Sequence, residues 1–168
     1  MSIEDAMPSS FTNEPQTILL VDDSENDLML MRAAFKEVGC NVALKEVRNG
    51  EEAIAYLNGA GPYGDRSLFP WPTVMLLDLN MPMKNGFDVL AWVRVQPVLK
   101  RLTTIILTAS TRNEDVERAF ELGANSFLVK PSSLESLVTM MRCLCAWIQI
   151  SRFPAIHEAG SAGAAGSP

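Results

Sequence analysis

Histidine is almost missing from this chain: His157 is the only one, beside three cysteines, Cys40, Cys143 and Cys145. Too few soft ligands stand at any usual spacing for a Cys/His zinc site. A Ser/His or Cys/His catalytic pair would have to run through His157, which lies in a polar tail, so that chemistry is set aside. Three cysteines make no disulfide framework and are expected as small apolar side chains in a reducing cytosol. No run of about 18 apolar residues occurs, so no spanning helix is expected. Residues 1–15 lack the basic start and apolar stretch of a signal peptide, and a cytoplasmic location is the expectation. Basic excess is missing too. With 14 Lys and Arg against 20 Asp and Glu the formal net charge is −6, whereas a nucleic-acid backbone demands a clustered cationic face.

What is present fits one globular domain: 48% of the residues are hydrophobic and 20% charged, enough for a sizeable core. Residues 1–15 read as a flexible leading segment. Residues 151–168 read as an extension ending in a Gly/Ala/Ser linker from Glu158. Between them, over 16–150, short apolar runs alternate with helical patterns. The run from Thr17 to Val21 predicts a strand buried on both faces; Val74 to Leu77, Ile105 to Leu107 and Phe127 to Val129 predict further strands, and Val42 with Leu44 another. Leu28, Met31, Phe35 and Val38 predict a helix closed by Gly39; Ala53, Ile54 and Leu57 predict a second. Phe87, Leu90 and Val93, then Val116 to Leu122, then Leu134 onward, predict three more. Asn58 to Pro72, rich in Gly and Pro, predicts a long loop. Five strands alternating with five helices imply a parallel sheet covered on both faces, in a doubly wound α/β sandwich.

Ligand sites in such sheets lie beyond the carboxyl ends of the strands. The residues found there are Asp22 and Asp23 after the first strand, Asp78 after the third, Thr108 after the fourth and Lys130 after the fifth. Three carboxylates forced together repel one another, and a hard divalent cation with a nearby ammonium relieves the repulsion. Mg2+ suits carboxylate oxygens, water and phosphate oxygens together, and Lys130 supplies a compact point charge. A carboxylate can itself attack phosphorus and form an acyl phosphate. The charge spread over three equatorial oxygens would then meet the metal, Lys130, and the Thr108 hydroxyl or a backbone N–H.

The stretches Ile18 to Ser24, Leu76 to Pro82 with Gly86, Thr108-Ala109 and Val129 to Pro131 closely resemble the receiver domains of two-component response regulators. The resemblance covers residues 16–150, with every motif in order. It implies a flavodoxin-like (βα)5 fold with strand order 2-1-3-4-5, Asp78 as phosphoacceptor and Mg2+ as cofactor. It implies Asp23 as direct metal ligand, Asp22 acting mainly through water, and Asn80 offering its backbone carbonyl. Lys130 would pair with the phosphoryl group, Thr108 would turn toward it, and Phe127 would follow inward as the switch aromatic. A cis bond before Pro131 and a tight turn at Gly86 are implied as well. The insertion from Gly59 to Pro72 and the stretch from Leu90 to Thr108 resemble the stand-alone regulators associated with cyanobacterial and bacterial phytochromes. The implied partner is a sensor histidine kinase, with a bacteriophytochrome as candidate.

No length remains for an output domain, so the expected output is a changed protein-interaction surface, with a phosphate sink or a plain binding module as alternatives. The last helix is apolar around nearly its whole circumference, which predicts a homodimer through it and its neighbours. An enzyme of the haloacid dehalogenase type would carry an acid two residues after its nucleophile. Ser24 stands two after Asp22, so the chain is expected to catalyse only its own phosphoryl transfer and loss. A flavin binder would want a phosphate-cradling loop where Asp22 and Asp23 repel anions.

Overall fold

The computed structural model describes residues 16–156; the expectations for residues 1–15, for His157 and for the tail from Glu158 lie outside them. Five strands, β1 (Gln16–Val21), β2 (Val42–Val47), β3 (Val74–Leu77), β4 (Thr103–Thr108) and β5 (Ser126–Val129), alternate with five helices. These are α1 (Glu25–Val38), α2 (Gly50–Asn58), α3 (Gly86–Val95), α4 (Asn113–Glu121) and α5 (Leu134–Ile150). All strand pairs are parallel, in the order β2-β1-β3-β4-β5. This is the doubly wound, flavodoxin-like sandwich that the sequence pattern predicts.

Alternation within the apolar runs splits the core into two layers. Ile18, Leu20, Val74, Leu76, Ile105 and Leu107 pack with α1 and α5. Leu19, Val21, Met75, Leu77 and Ile106 pack with α2, α3 and α4. Because both faces are covered, β3 is buried at every position, which is why it reads as a continuous apolar run. Helix starts are set by side chains that accept otherwise unpaired N–H groups: Ser24 for α1, Asn49 for α2, Asn85 for α3 and Ser133 for α5. Gly39 ends α1 at φ 70°, in the left-handed region glycine adopts freely.

The sheet positions its own carboxyl edge. One residue past β1, β3 and β5, the backbone still bonds to the ladder: Asp22 N–H donates to Val47 O (3.2 Å), Asp78 N–H to Val21 O (2.9 Å) and Lys130 N–H to Thr108 O (2.8 Å). Gly86, the first residue of α3, lies so close to the Asp78 backbone that a Cβ there would overlap the Asp78 carbonyl. The tight turn implied at Gly86 is therefore a close approach between two backbones.

The segment Asn58–Pro72 is less loose than its composition suggests. It carries one 3-10 turn, Gly61–Tyr63, and folds back onto the end of α2. Arg66 donates to the Tyr56 and Leu57 carbonyls, both at 2.8 Å, and so satisfies groups a helix end leaves unpaired. Tyr56, Tyr63 and Phe69 form a ring cluster with centroids 5.2–5.9 Å apart.

Two expectations are corrected. No cis peptide bond occurs among the described residues, so the bond before Pro131 is trans; the ladder bond of Lys130 N–H to Thr108 O holds the lysine's backbone without one. Cys40 and Cys145 are not free thiols but a disulfide, with Cα atoms 6.0 Å apart and a sequence separation of 105. The packing of α1 against α5 brings the two together, a proximity that spacing along the chain cannot reveal. Cys143 remains free and exposed. Alkylation of denatured, unreduced protein is expected to label one thiol, and three after reduction. Reduction should cost up to about 4–5 kcal/mol, the entropy of releasing so long a loop. Three labelled thiols without reductant would contradict the pairing.

Candidate functional site

At the carboxyl edge Asp22, Asp23 and Asp78 each bring a carboxylate oxygen within 4.8 Å of the others. Asp22 and Asp78 are buried and Asp23 is exposed, so the group has a dry floor and one ligand reaching out to solvent. Lys130 closes the opposite side. Its Nζ lies 2.6 Å from Asp22 Oδ2 and 3.4 Å from Asp78 Oδ2. Asn80 is exposed, and its N–H makes a long 3.5 Å contact to Asp78 Oδ1. Thr108 is fully buried at the end of β4, with its Oγ1 accepting from Ser110 N–H at 3.4 Å. Phe127 is half-buried on β5 and packs against the α2–α3–α4 layer.

One residue of the site escaped sequence reasoning. Asp27, in the first turn of α1, sits 2.8 Å from Lys130 Nζ. Its N–H donates to the Ser24 hydroxyl that starts the helix, so the cap that begins α1 also aims the Asp27 carboxylate back across the pocket. The available signal was its place one helical turn beyond Asp23, after a Ser able to cap.

Opposed forces set the protonation states. Burial pushes the Asp22 carboxyl up; hydrogen bonds from Lys130 and from Ser24 N–H pull it down, but burial prevails. For Lys130, burial alone would lower the ammonium, yet its hydrogen bonds to Asp22 and Asp27 and the charge of Asp78 outweigh that and hold it well above the usual lysine range. The lysine is therefore charged at every physiological pH.

A family model for the response regulator receiver domain matches residues 18–142. The chain belongs to that family. Among relatives of this receiver, response regulator Rcp1 of Synechocystis sp. is 36% identical over 148 residues, covering 88% of this chain and 99% of Rcp1. The probable methanogenesis regulatory protein FilR2 of Methanothrix harundinacea is 36% identical over 124 residues, covering 74% of this chain and 77% of its own. Among solved structures, the phosphorylated cyanobacterial phytochrome response regulator RcpA superposes with a TM-score of 0.78 at 29% identity, covering 84% of this chain and 100% of that one. The Mn2+-bound form of Rcp1 does so at 0.75, 36% identity and the same coverage. The receiver thus lies among phytochrome-associated response regulators.

The donor set of this receiver fits a hard divalent cation: carboxylate oxygens only, close enough to share one ion, and open to water on the Asp23 side. Lys130 offsets part of the repulsion among the acids and supports the pocket from within. Replacing it, as in Lys130→Ala, should destabilise the metal-free protein by about 3–5 kcal/mol at neutral pH, because buried acids lose their partner. A carboxyl whose folded pKa is raised gives stability that is fully present below its unfolded pKa and is lost as pH rises through the folded value. The deficit should therefore vanish in acid and widen as pH climbs past the carboxylate range. Denaturation curves across that range check this; a deficit independent of pH would contradict it.

Proposed function

We propose that this receiver accepts a phosphoryl group on Asp78 from the phosphohistidine of a sensor histidine kinase, in the cytoplasm. The observation that carries the reading is Lys130 Nζ standing 2.6 Å from Asp22 and 3.4 Å from Asp78, beside a trio of carboxylates close enough to share one cation. An Asp78 oxygen attacks phosphorus, the P–N bond to the donor imidazole breaks, and the imidazole takes up a proton. Asp22, Asp23 and Asp78, with the Asn80 carbonyl, would hold Mg2+, which when bound shields the charge of the attacking carboxylate and the phosphoryl oxygens. Lys130 meets one equatorial oxygen and the Thr108 hydroxyl, once turned inward, another, with Phe127 following toward the space it leaves. The protein thus catalyses its own phosphoryl transfer and hydrolysis and no other reaction.

Likeness to the cyanobacterial phytochrome response regulator RcpA supports a phytochrome-type kinase as donor. Output would pass through a surface shared with a second copy. Trp147 on α5 is 41% exposed and lines, with Ile105, Leu128, Met140 and Leu144, a groove of about 410 Å3. Such a face favours a twofold contact.

Incubation with a small-molecule acyl phosphate, followed by intact mass measurement, is the test. One phosphoryl adduct is expected, requiring Mg2+ and absent from Asp78→Asn, in a protein that sediments as a dimer at tens of micromolar. A metal-independent adduct, or one that survives the substitution, would overturn the acceptor assignment; a monomer would remove the dimer.

A further inference from the structure

Helix α4 is the most weakly held helix of the sandwich. Of its residues only Ala119 is buried, while α3 buries five and α5 six. Phe120 is 51% exposed, and a lateral tether comes from the Arg118 guanidinium over the Phe87 ring at 4.2 Å. The start of α4 also departs from the other four helices. Its N-cap residue, Arg112, provides no side-chain acceptor. A residue outside the helix ties this start down in another way: Ser110 Oγ accepts from Arg112 N–H at 3.3 Å and donates to Asp115 Oδ2 at 2.5 Å. A hydroxyl–carboxylate bond that short is among the stronger hydrogen bonds. An element with so little apolar burial depends on such polar anchors for its position.

The same serine reaches into the acceptor pocket. Its backbone N–H donates to Thr108 Oγ1 at 3.4 Å, and the Thr108 carbonyl is fixed by Lys130 N–H. Thr108 can therefore turn its hydroxyl only by rotating its side chain, and a rotation toward Asp78 gives up the Ser110 contact. We propose that Ser110 and Asp115 form a latch that holds the Thr108 hydroxyl in its outward rotamer and couples that rotamer to the position of α4. This rests on the acceptor reading above and adds to it the positioning residues that set the resting equilibrium. The strong link, Ser110 to Asp115, keeps the loop where Ser110 N–H can engage Thr108; the weak link, at 3.4 Å, is the one that gives way. Because coupling is reciprocal, whatever loosens the latch favours the inward hydroxyl, and an inward hydroxyl loosens α4. Neither Ser110 nor Asp115 would touch the phosphoryl group for this to operate.

The test follows the Thr108 methyl by NMR in the full chain with threonine methyl labelling and Mg2+, before and after treatment with the acyl phosphate. Wild-type protein supplies the two end points. Ser110→Ala and Asp115→Asn are each expected to move the untreated signal along the line between them, with the inward population raised about tenfold, the effect of losing one charge-assisted hydrogen bond. Ser110→Thr, which keeps the hydroxyl, should stay at the wild-type position. A purely structural role for Ser110 would lower the melting temperature without moving the signal along that line. If all four proteins form the adduct while the untreated Ser110→Ala and Asp115→Asn signals sit at the wild-type position, the latch is wrong and the acceptor reading stands. If wild-type protein forms no adduct, both fall.

Discussion

Carboxylates confined to one pocket repel each other, and the fold offsets that repulsion by holding something positive among them. Here that is Lys130, contacting Asp22, Asp27 and Asp78 at once. One ammonium does not neutralise four acids, and the remaining negative charge is what gives the pocket its appetite for a divalent cation. Asp23 faces outward and Asp22 and Asp78 inward, so a cation can arrive from solvent, keep some of its water and still lie against Asp78. The same imbalance suits a phosphoryl acceptor. An incoming phosphoryl group would bring more negative charge, which a metal and Lys130 together would offset.

The sheet converts that requirement into fixed geometry. Ladder hydrogen bonds continue one residue past β1, β3 and β5, so Asp22, Asp78 and Lys130 are placed by backbone that is as rigid as the strands. The close approach of Gly86 to the Asp78 carbonyl locks the loop after β3 from behind. Rigidity ends at β4. Beyond Thr108 the chain is held by the Ser110 and Asp115 side chains and by a helix with little buried surface. The pocket therefore has three fixed walls and one that can move, which is the arrangement a switch needs.

Much of this was readable in the residues. Strands buried on both faces declare themselves as apolar runs, and the polar residue that ends each run marks the carboxyl edge, which is how Asp22, Asp23, Asp78, Thr108 and Lys130 could be named together. What stayed hidden depends on contacts between distant segments. Asp27 looks like an ordinary acid in the first turn of a helix until β5 delivers Lys130 to it. Cys40 and Cys145 become neighbours only through the packing of α1 on α5. The stretch Asn58–Pro72 has the composition of a loop, yet Arg66 and three aromatic rings fasten it to α2. The contacts of Ser110 could not be read from its place after Thr108-Ala109, because they run to residues on both sides of it.

The central claim is that side chains from separate strands share one cation beside Asp78. Counting bound Mn2+, a hard octahedral ion that reports its own binding by electron paramagnetic resonance, addresses it directly. The account expects one tight ion per chain in wild-type protein, with affinity lowered at least about tenfold in Asp23→Asn, which removes the solvent-facing ligand while leaving the buried pair intact. Binding of equal strength in that variant would place the ion elsewhere and contradict the account.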